Sequence, residues 1–325
     1  MKALVLHELT GIDGLKLEHD WPEPKLKPGT VLIDVATAAL NFPDLLILKG
    51  LYQFKPPLPA IPGMELAGTI AAVGEGVARW KVGDRVIAYA PSAAAERVVV
   101  PQDRLLPLPA SLDFESGCGV SVTYFTTYHA FKQRAQLAAG ETVLVLGAAS
   151  GVGTTAVELA KQMGAAVIAA ASTPAKLEVA RKLGADHLID YTTEDLRERI
   201  KDITGGKGVD VVYDAVGGPY AEPAVRSLAW KGRYLVVGFA AGEIPKIPMN
   251  LLLLKGASLV GVFFGSFAER EPQAQQQNVR ELWALFESGK LKPVVGAVHP
   301  LAEYAEAFRS MEQRRAVGKV VLRIG

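Results

Sequence analysis

Gly147-Ala148-Ala149-Ser150-Gly151-Val152-Gly153 follows an apolar strand-like run, Thr142–Leu146, and leads directly into a stretch with helical spacing. Glycines in such a turn let the backbone fold tightly and approach a diphosphate, whose charge meets the N–H groups of a helix start. Alone, the string also describes an ordinary tight turn. Its position at the head of several strand–helix units makes Gly147, Ala149, Ser150, Gly151, Val152 and Gly153 a candidate dinucleotide site. No Gly-Lys-Ser/Thr closes the motif, which speaks against a nucleoside-triphosphate loop.

The end of the next strand discriminates between dinucleotides. An acid about 20 residues past the turn would bind the adenosine ribose hydroxyls. Here the chain reads Ala169-Ala170-Ala171-Ser172-Thr173, with no acid before Glu178. Lys176 falls instead in the first turn of a helix, where a cation opposes the helix dipole. An anionic partner explains that placement, so NADPH is the expected cofactor; the alternative is a solvated surface lysine.

Other reactive residue types form no constellation. The one cysteine, Cys118, rules out an intrachain disulfide and a four-cysteine zinc lobe, and reads as a small buried apolar residue or a free thiol. The histidines His7, His19, His129, His187 and His299 lack partners at metal-ligand spacing, so no metal is expected. Tyr128 and Lys132 have the Tyr-xxx-Lys spacing of short-chain dehydrogenases, but they precede the glycine turn where that pair should follow it. Chance is the better reading.

The elements that must position these residues divide the chain in two. Residues 1–120 read as mostly β: Val31–Ala36, Gly68–Val73 and Arg85–Ala88 are Val/Ile-rich and separated by Pro-Gly, Gly-Glu-Gly and Val-Gly-Asp turns. From Thr142, strand-like runs alternate with helical stretches, at Thr142–Leu146, Ala166–Ala171, His187–Asp190, Val209–Tyr213, Arg233–Gly238 and Ser258–Phe263. Thr173-Pro174 caps one helix, and Thr192-Thr193-Glu194-Asp195 opens another. Six short buried strands with helical crossovers predict an α/β Rossmann domain, a doubly wound parallel sheet, over 121–264. After Phe264 comes a polar, glutamine-rich stretch, then a helix near Val279–Ser288. The tail, 265–325, is expected to return to the first domain.

With 325 residues, half of them hydrophobic, and a net charge of +1, the chain can bury a substantial core. Balanced charge speaks against a general nucleic-acid or acidic-membrane binder. No apolar run reaches the roughly 18–20 residues of a membrane span, Leu251–Leu254 being the strongest patch. A cytoplasmic enzyme with no membrane association is expected.

The plan and its motifs resemble the medium-chain dehydrogenase/reductase superfamily, and within it the zinc-free, zeta-crystallin-like quinone oxidoreductases. Along nearly the whole chain the resemblance rests on Ala39-Leu40-Asn41-Phe42-Pro43-Asp44, Gly50-Leu51-Tyr52 and Ile61-Pro62-Gly63-Met64-Glu65-Leu66-Ala67-Gly68. It continues through Val82–Val86, Gly147–Gly153, Gly261–Ser266 and Gly318–Val321. It implies that the mostly-β part is a GroES-like catalytic domain. Zinc alcohol dehydrogenases of this superfamily place a cysteine where Asn41 stands and a histidine where Met64 stands. Only Cys118 remains of the ligand set, and one thiolate cannot hold a catalytic zinc, which takes three protein ligands.

The resemblance further implies that Thr126 lies near the nicotinamide end and that Ser172, Lys176 and Tyr191 surround the 2′-phosphate. Gly238-Phe239 and Phe263-Phe264-Gly265 would offer backbone groups to the nicotinamide carboxamide and ribose. Ser150 stands where relatives of this branch often carry glycine. Asn41 and Tyr52 are candidates for positioning the acceptor; Asn41 also fits an N-cap, and Tyr52 a wall aromatic. A homodimer is implied. The expected activity is metal-independent, NADPH-dependent reduction of quinones or related α,β-unsaturated carbonyls. Alternatives are an enoyl-CoA reductase of the acryloyl-CoA type and a non-catalytic NADPH-binding or RNA-binding protein.

Overall fold

The computed structural model describes residues 1–325. Seven strands occupy the first third: β1 (Ala3–Leu6), β2 (Leu15–Glu18), β3 (Thr30–Leu40), β4 (Glu65–Val73), β5 (Arg85–Tyr89), β6 (Arg97–Pro101) and β7 (Leu105–Pro107). Period-two patterning drives them: along β3, Val31, Ile33 and Val35 are buried while Asp34 is exposed. Helices α1 (Phe42–Leu48) and α2 (Phe114–Gly117) are short. Then α3 (Val120–His129) runs on through a π-helical segment, Ala130–Ala135.

Strands and helices alternate after that. They are β8 (Thr142–Leu146), α4 (Gly151–Gln162), β9 (Ala166–Ala171), α5 (Pro174–Lys182), β10 (His187–Asp190), α6 (Leu196–Ile203), β11 (Val209–Asp214) and α7 (Ala221–Arg226). The series continues with β12 (Leu228–Val236), α8 (Asn250–Lys255), β13 (Ser258–Gly261), α9 (Phe264–Arg270) and α10 (Pro272–Glu287). Last come β14 (Val295–Pro300), α11 (Tyr304–Glu312) and β15 (Lys319–Arg323).

Residues Met1–Val122 with Lys292–Gly325 form one compact unit, and Thr123–Leu291 the other. In the first, the larger sheet runs β14-β15-β3-β4-β5-β7, with β6 also paired to β3; all these pairings are antiparallel except β14 with β15. Its core includes Leu4, Ile33, Leu48, Leu66, Ile70, Phe308 and Leu322. In the second, six parallel strands run β10-β9-β8-β11-β12-β13. Leu144, Leu146, Ile168, Ile189, Val212 and Tyr234 belong to a core cluster beside this sheet. The strand order reverses between β8 and β11, the place where doubly wound sheets hold ligands at their carboxyl ends. The chain is an α/β Rossmann domain plus a mostly-β, GroES-like unit.

Three expectations need correction. The glutamine-rich stretch is helical: Asn278, Leu282 and Phe286 are buried at four-residue spacing, while Gln277 bonds the neighbouring Arg280 and Glu281 side chains. The sixth strand ends at Gly261, and Phe264-Gly265 open α9. Finally, α9 and α10 pack in the second unit, so the chain returns to the first at Lys292 and not at 265. Aromatic packing against α3 explains this: Tyr124 lies edge-on to Phe286 at 4.9 Å, and Phe125 is 5.8 Å from Phe264 and 6.0 Å from Trp283.

Candidate functional site

The turn between β8 and α4 is built by backbone constraints. Gly147 takes φ +69°, and a Cβ on Gly153 would lie 2.1 Å from the Gly147 carbonyl oxygen. Ser150 is the N-cap of α4: its Oγ accepts the Gly153 N–H at 3.1 Å, and its carbonyl accepts that of Thr154 at 2.8 Å. The N–H groups of Gly151 and Val152 lie in the first turn, where a helix offers them no acceptor. Together with the helix dipole they suit a diphosphate, on a turn too tightly packed for a side chain at 147, against Val216, or at 153, against the turn's own backbone.

At the end of β9, Lys176 Nζ donates to Ser172 Oγ at 3.3 Å. Thr173 caps α5, its Oγ1 accepting the Lys176 N–H at 3.3 Å, which fixes where the lysine leaves the helix. Tyr191 is tied to the same strand end, its N–H donating to the Ala171 carbonyl at 3.2 Å, and its ring lies 4.1 Å from that of Tyr220. The fold thus brings Ser172 and Lys176 into contact and draws Tyr191 toward them.

Thr126 is half-buried on α3, whereas the neighbouring Thr127 is buried and bonded to Thr155 and Tyr213. Gly238 and Phe239 follow β12, and the Gly238 N–H donates to the Asp214 carbonyl at 3.2 Å. Phe263 is 46% exposed, Phe264 is buried, and Gly265 lies within α9. Sequence reasoning missed Asp214, which ends β11 at the switch point. Its carboxylate accepts the N–H groups of Val216 (2.7 Å) and Gly217 (2.9 Å) and a short bond from the Tyr234 hydroxyl. Burial raises its pKa, so these donors are what hold the buried acid. An acid at the carboxyl end of a strand beside the glycine turn's own strand was the available signal.

In the first unit, Asn41, Glu65 and Lys319 form a buried polar cluster. Lys319 Nζ donates to Asn41 Oδ1 (2.7 Å), Glu65 Oε1 (2.6 Å) and the Leu40 carbonyl (3.0 Å). Asn41 Nδ2 donates to Glu65 Oε1 at 2.9 Å, and the Val122 N–H reaches Glu65 Oε2 at 2.8 Å. Asn41 also precedes α1 as its N-cap residue, and its own N–H donates to Asp44 Oδ2 at 2.7 Å. Burial holds the Asp44 carboxyl up at about 7, against a smaller lowering effect of that bond. Tyr52 is half-buried, 6.2 Å from Phe54 between ring centroids.

Cys118 is buried, and burial pushes its thiol up to about 12, the wrong direction for a reactive thiolate. No group of three His, Cys, Asp or Glu side chains is arranged to hold a metal ion. Tyr128 and Lys132 both donate to Glu281 Oε2, at 2.5 Å each, and burial and the glutamate raise the tyrosine pKa. A catalytic tyrosine beside a lysine needs the opposite shift. His129 stacks on Phe267 at 3.9 Å and is driven toward neutrality by burial. No helix is long and apolar enough to cross a membrane.

A mostly antiparallel unit completed by the chain's tail, with a parallel unit that opens on a glycine cradle, defines a two-domain dehydrogenase or reductase. Residues 27–110 match the alcohol dehydrogenase GroES-like domain family, and residues 151–287 match the zinc-binding dehydrogenase family. The chain is 37% identical over 311 residues to the quinone oxidoreductase-like protein 2 homolog of Nematostella vectensis, covering 95% of this chain and 85% of that protein. Among solved structures, the quinone oxidoreductase of Thermus thermophilus, studied also in complex with NADPH, superposes with a TM-score of 0.86 at 37% identity, covering 100% of both chains. The CurK enoyl reductase gives 0.89 at 30% identity, covering 100% of this chain and 99% of that one. The protein belongs to the medium-chain dehydrogenase/reductase superfamily, as an oxidoreductase of the zinc-free quinone oxidoreductase type.

Proposed function

We propose that the protein is an NADPH-dependent, metal-independent reductase that transfers hydride to quinones or related α,β-unsaturated carbonyls. The observation that carries the reading is the Lys176–Ser172 contact at the end of β9, on a strand end without an acid and one helix away from the glycine cradle. Two donors there suit a 2′-phosphate, and the cradle suits the diphosphate. The donor set supports metal independence, because Asn41 and Met64 stand where zinc relatives carry ligands.

Bound to these residues, NADPH would supply the hydride. The chain's part is then positional and electrostatic. The α4 N–H groups hold the diphosphate, Ser172, Lys176 and Tyr191 hold the adenosine phosphate, and Thr126, Gly238-Phe239 and Phe263-Phe264-Gly265 border the nicotinamide end. Hydride arriving at the electrophilic carbon leaves negative charge on the acceptor oxygen. Tyr52 is the better donor to that oxygen, because the Asn41 amide is already bonded to Glu65 and Lys319.

Similarity to the CurK enoyl reductase favours a second reading, reduction of enoyl thioesters. A panel of quinones, enals and enoyl-CoAs with purified protein separates the two. We expect NADPH oxidation with quinones or enones, unchanged after dialysis against a chelator. A higher kcat/KM for enoyl-CoA supports the thioester reading, and no oxidation with any acceptor leaves a non-catalytic NADPH binder.

A further inference from the structure

Asp44 is 1% exposed, and its two carboxyl oxygens are treated unequally. Oδ2 accepts the Asn41 N–H at 2.7 Å, while Oδ1 is buried with no hydrogen-bond partner. Leaving a buried oxygen unpaired costs more in a carboxylate than in a neutral acid, because the neutral form buries no charge.

The Lys319 cation acts on Asp44 and lowers its pKa, by less than burial raises it. Lys319, from β15, spends its three hydrogens on Leu40, Asn41 and Glu65. Glu65, from β4, is itself a buried acid whose charge works against that of Asp44. The Asn41 and Gly63 backbones also lower the carboxyl pKa, each by less than burial raises it. Burial pushes the carboxyl up to about 7, in the direction the geometry demands. Tyr52 feels the result: beyond the larger effect of its own burial, a charged Asp44 raises the pKa of its hydroxyl.

We propose that Asp44 is a positioning residue that works as a neutral acid: while it keeps its proton Tyr52 can donate to the acceptor, and its ionisation suppresses that donation. The proposal rests on the reductive reading. Hydride adds to the acceptor carbon and leaves an anion; the Tyr52 O–H bond breaks, its proton passes to that anion, and water returns a proton to the phenolate. Asp44 exchanges no atoms with the acceptor, and only its charge changes how readily Tyr52 yields its proton.

Two measurements test this. In the full-length protein, the Asp44 carboxyl labelled with carbon-13 and assigned through its own backbone should titrate by NMR near neutrality. A carboxylate already ionised at about pH 5, near the ordinary aspartate range, overturns the proposal whatever the activity. Independently, kcat should fall about fivefold between roughly pH 6 and pH 9, as one charge near a proton donor would impose. The fall should be absent in both Asp44→Asn and Tyr52→Phe, with NADPH affinity retained. Persistence of the fall in either variant overturns the proposal, and Tyr52→Phe serves alone if Asp44→Asn does not fold. Failure of the reductive reading looks different: Asp44 titrates near neutrality but no acceptor supports NADPH oxidation.

Discussion

At the end of β9 Lys176 contacts Ser172 on a strand end without an acid, and in the proposed reading this one side chain sets cofactor choice. Lys176→Ala should weaken NADPH binding about tenfold or more, the scale of one lost charge-assisted contact, and leave NADH binding nearly unchanged. Fluorescence titration with both nucleotides checks this, and equal affinities in the unmutated protein would contradict the cofactor assignment. Asp44 carries a different prediction, on stability. Its folded pKa of about 7 lies above the ordinary 3.8, so the folded state holds the proton more tightly. Stability is therefore greatest below that ordinary value and is lost as pH rises through 7. Asp44→Asn cannot ionise and escapes the loss, so it should exceed the unmutated protein at pH 8 by up to about 4 kcal/mol. The advantage should shrink steadily toward about pH 4 in urea unfolding, and an advantage independent of pH would show that Asp44 is not buried as a neutral acid.

Among the elements, the β8–α4 junction leaves the least freedom. Gly153→Ala would place a methyl 2.1 Å from a backbone oxygen, so the helix start must shift away from the turn. We expect it to cost about 1–3 kcal/mol in stability and at least about tenfold in NADPH affinity, read by thermal unfolding and nucleotide titration. This junction was legible in the sequence because its signals are local: an apolar strand, glycines at fixed offsets, a serine that caps. The Thr173-Pro174 helix start was legible for the same reason. The first half of α10 was obscured because glutamines fill it, whereas its second half reads as a helix near Val279–Ser288. The Asp214–Tyr234 bond joins neighbouring parallel strands, and Asn41, Glu65 and Lys319 meet across more than two-thirds of the chain. Spacing cannot show such contacts, because strand register and sheet order create them.

At the scale of the whole molecule, the second unit's sheet ends in β13, which has β12 on one side and no strand on the other. An edge strand offers backbone donors and acceptors to any complementary strand. Large apolar side chains lie exposed in the same unit: Trp230, Met249, Leu253, Leu254 and Leu259. Leu253 and Leu254 are on α8, which precedes β13 directly, and the Trp230 ring lies 3.4 Å from where a Cβ on Gly256 would stand. Clustered apolar exposure of this kind marks an interface more often than a solvated surface. A second copy of the chain is the simplest occupant, because a two-fold axis at β13 lets each copy cover the same residues of the other and extends the sheet. We therefore propose a homodimer through this edge. Sedimentation should give twice the chain mass at micromolar concentration. The double variant Leu253→Asp with Leu254→Asp should sediment as a monomer while still unfolding cooperatively, since both side chains are largely exposed within one chain and contribute little to its core. A monomer in the unmutated protein would refute the interface, and a dimer that survives both aspartates would move it to another surface.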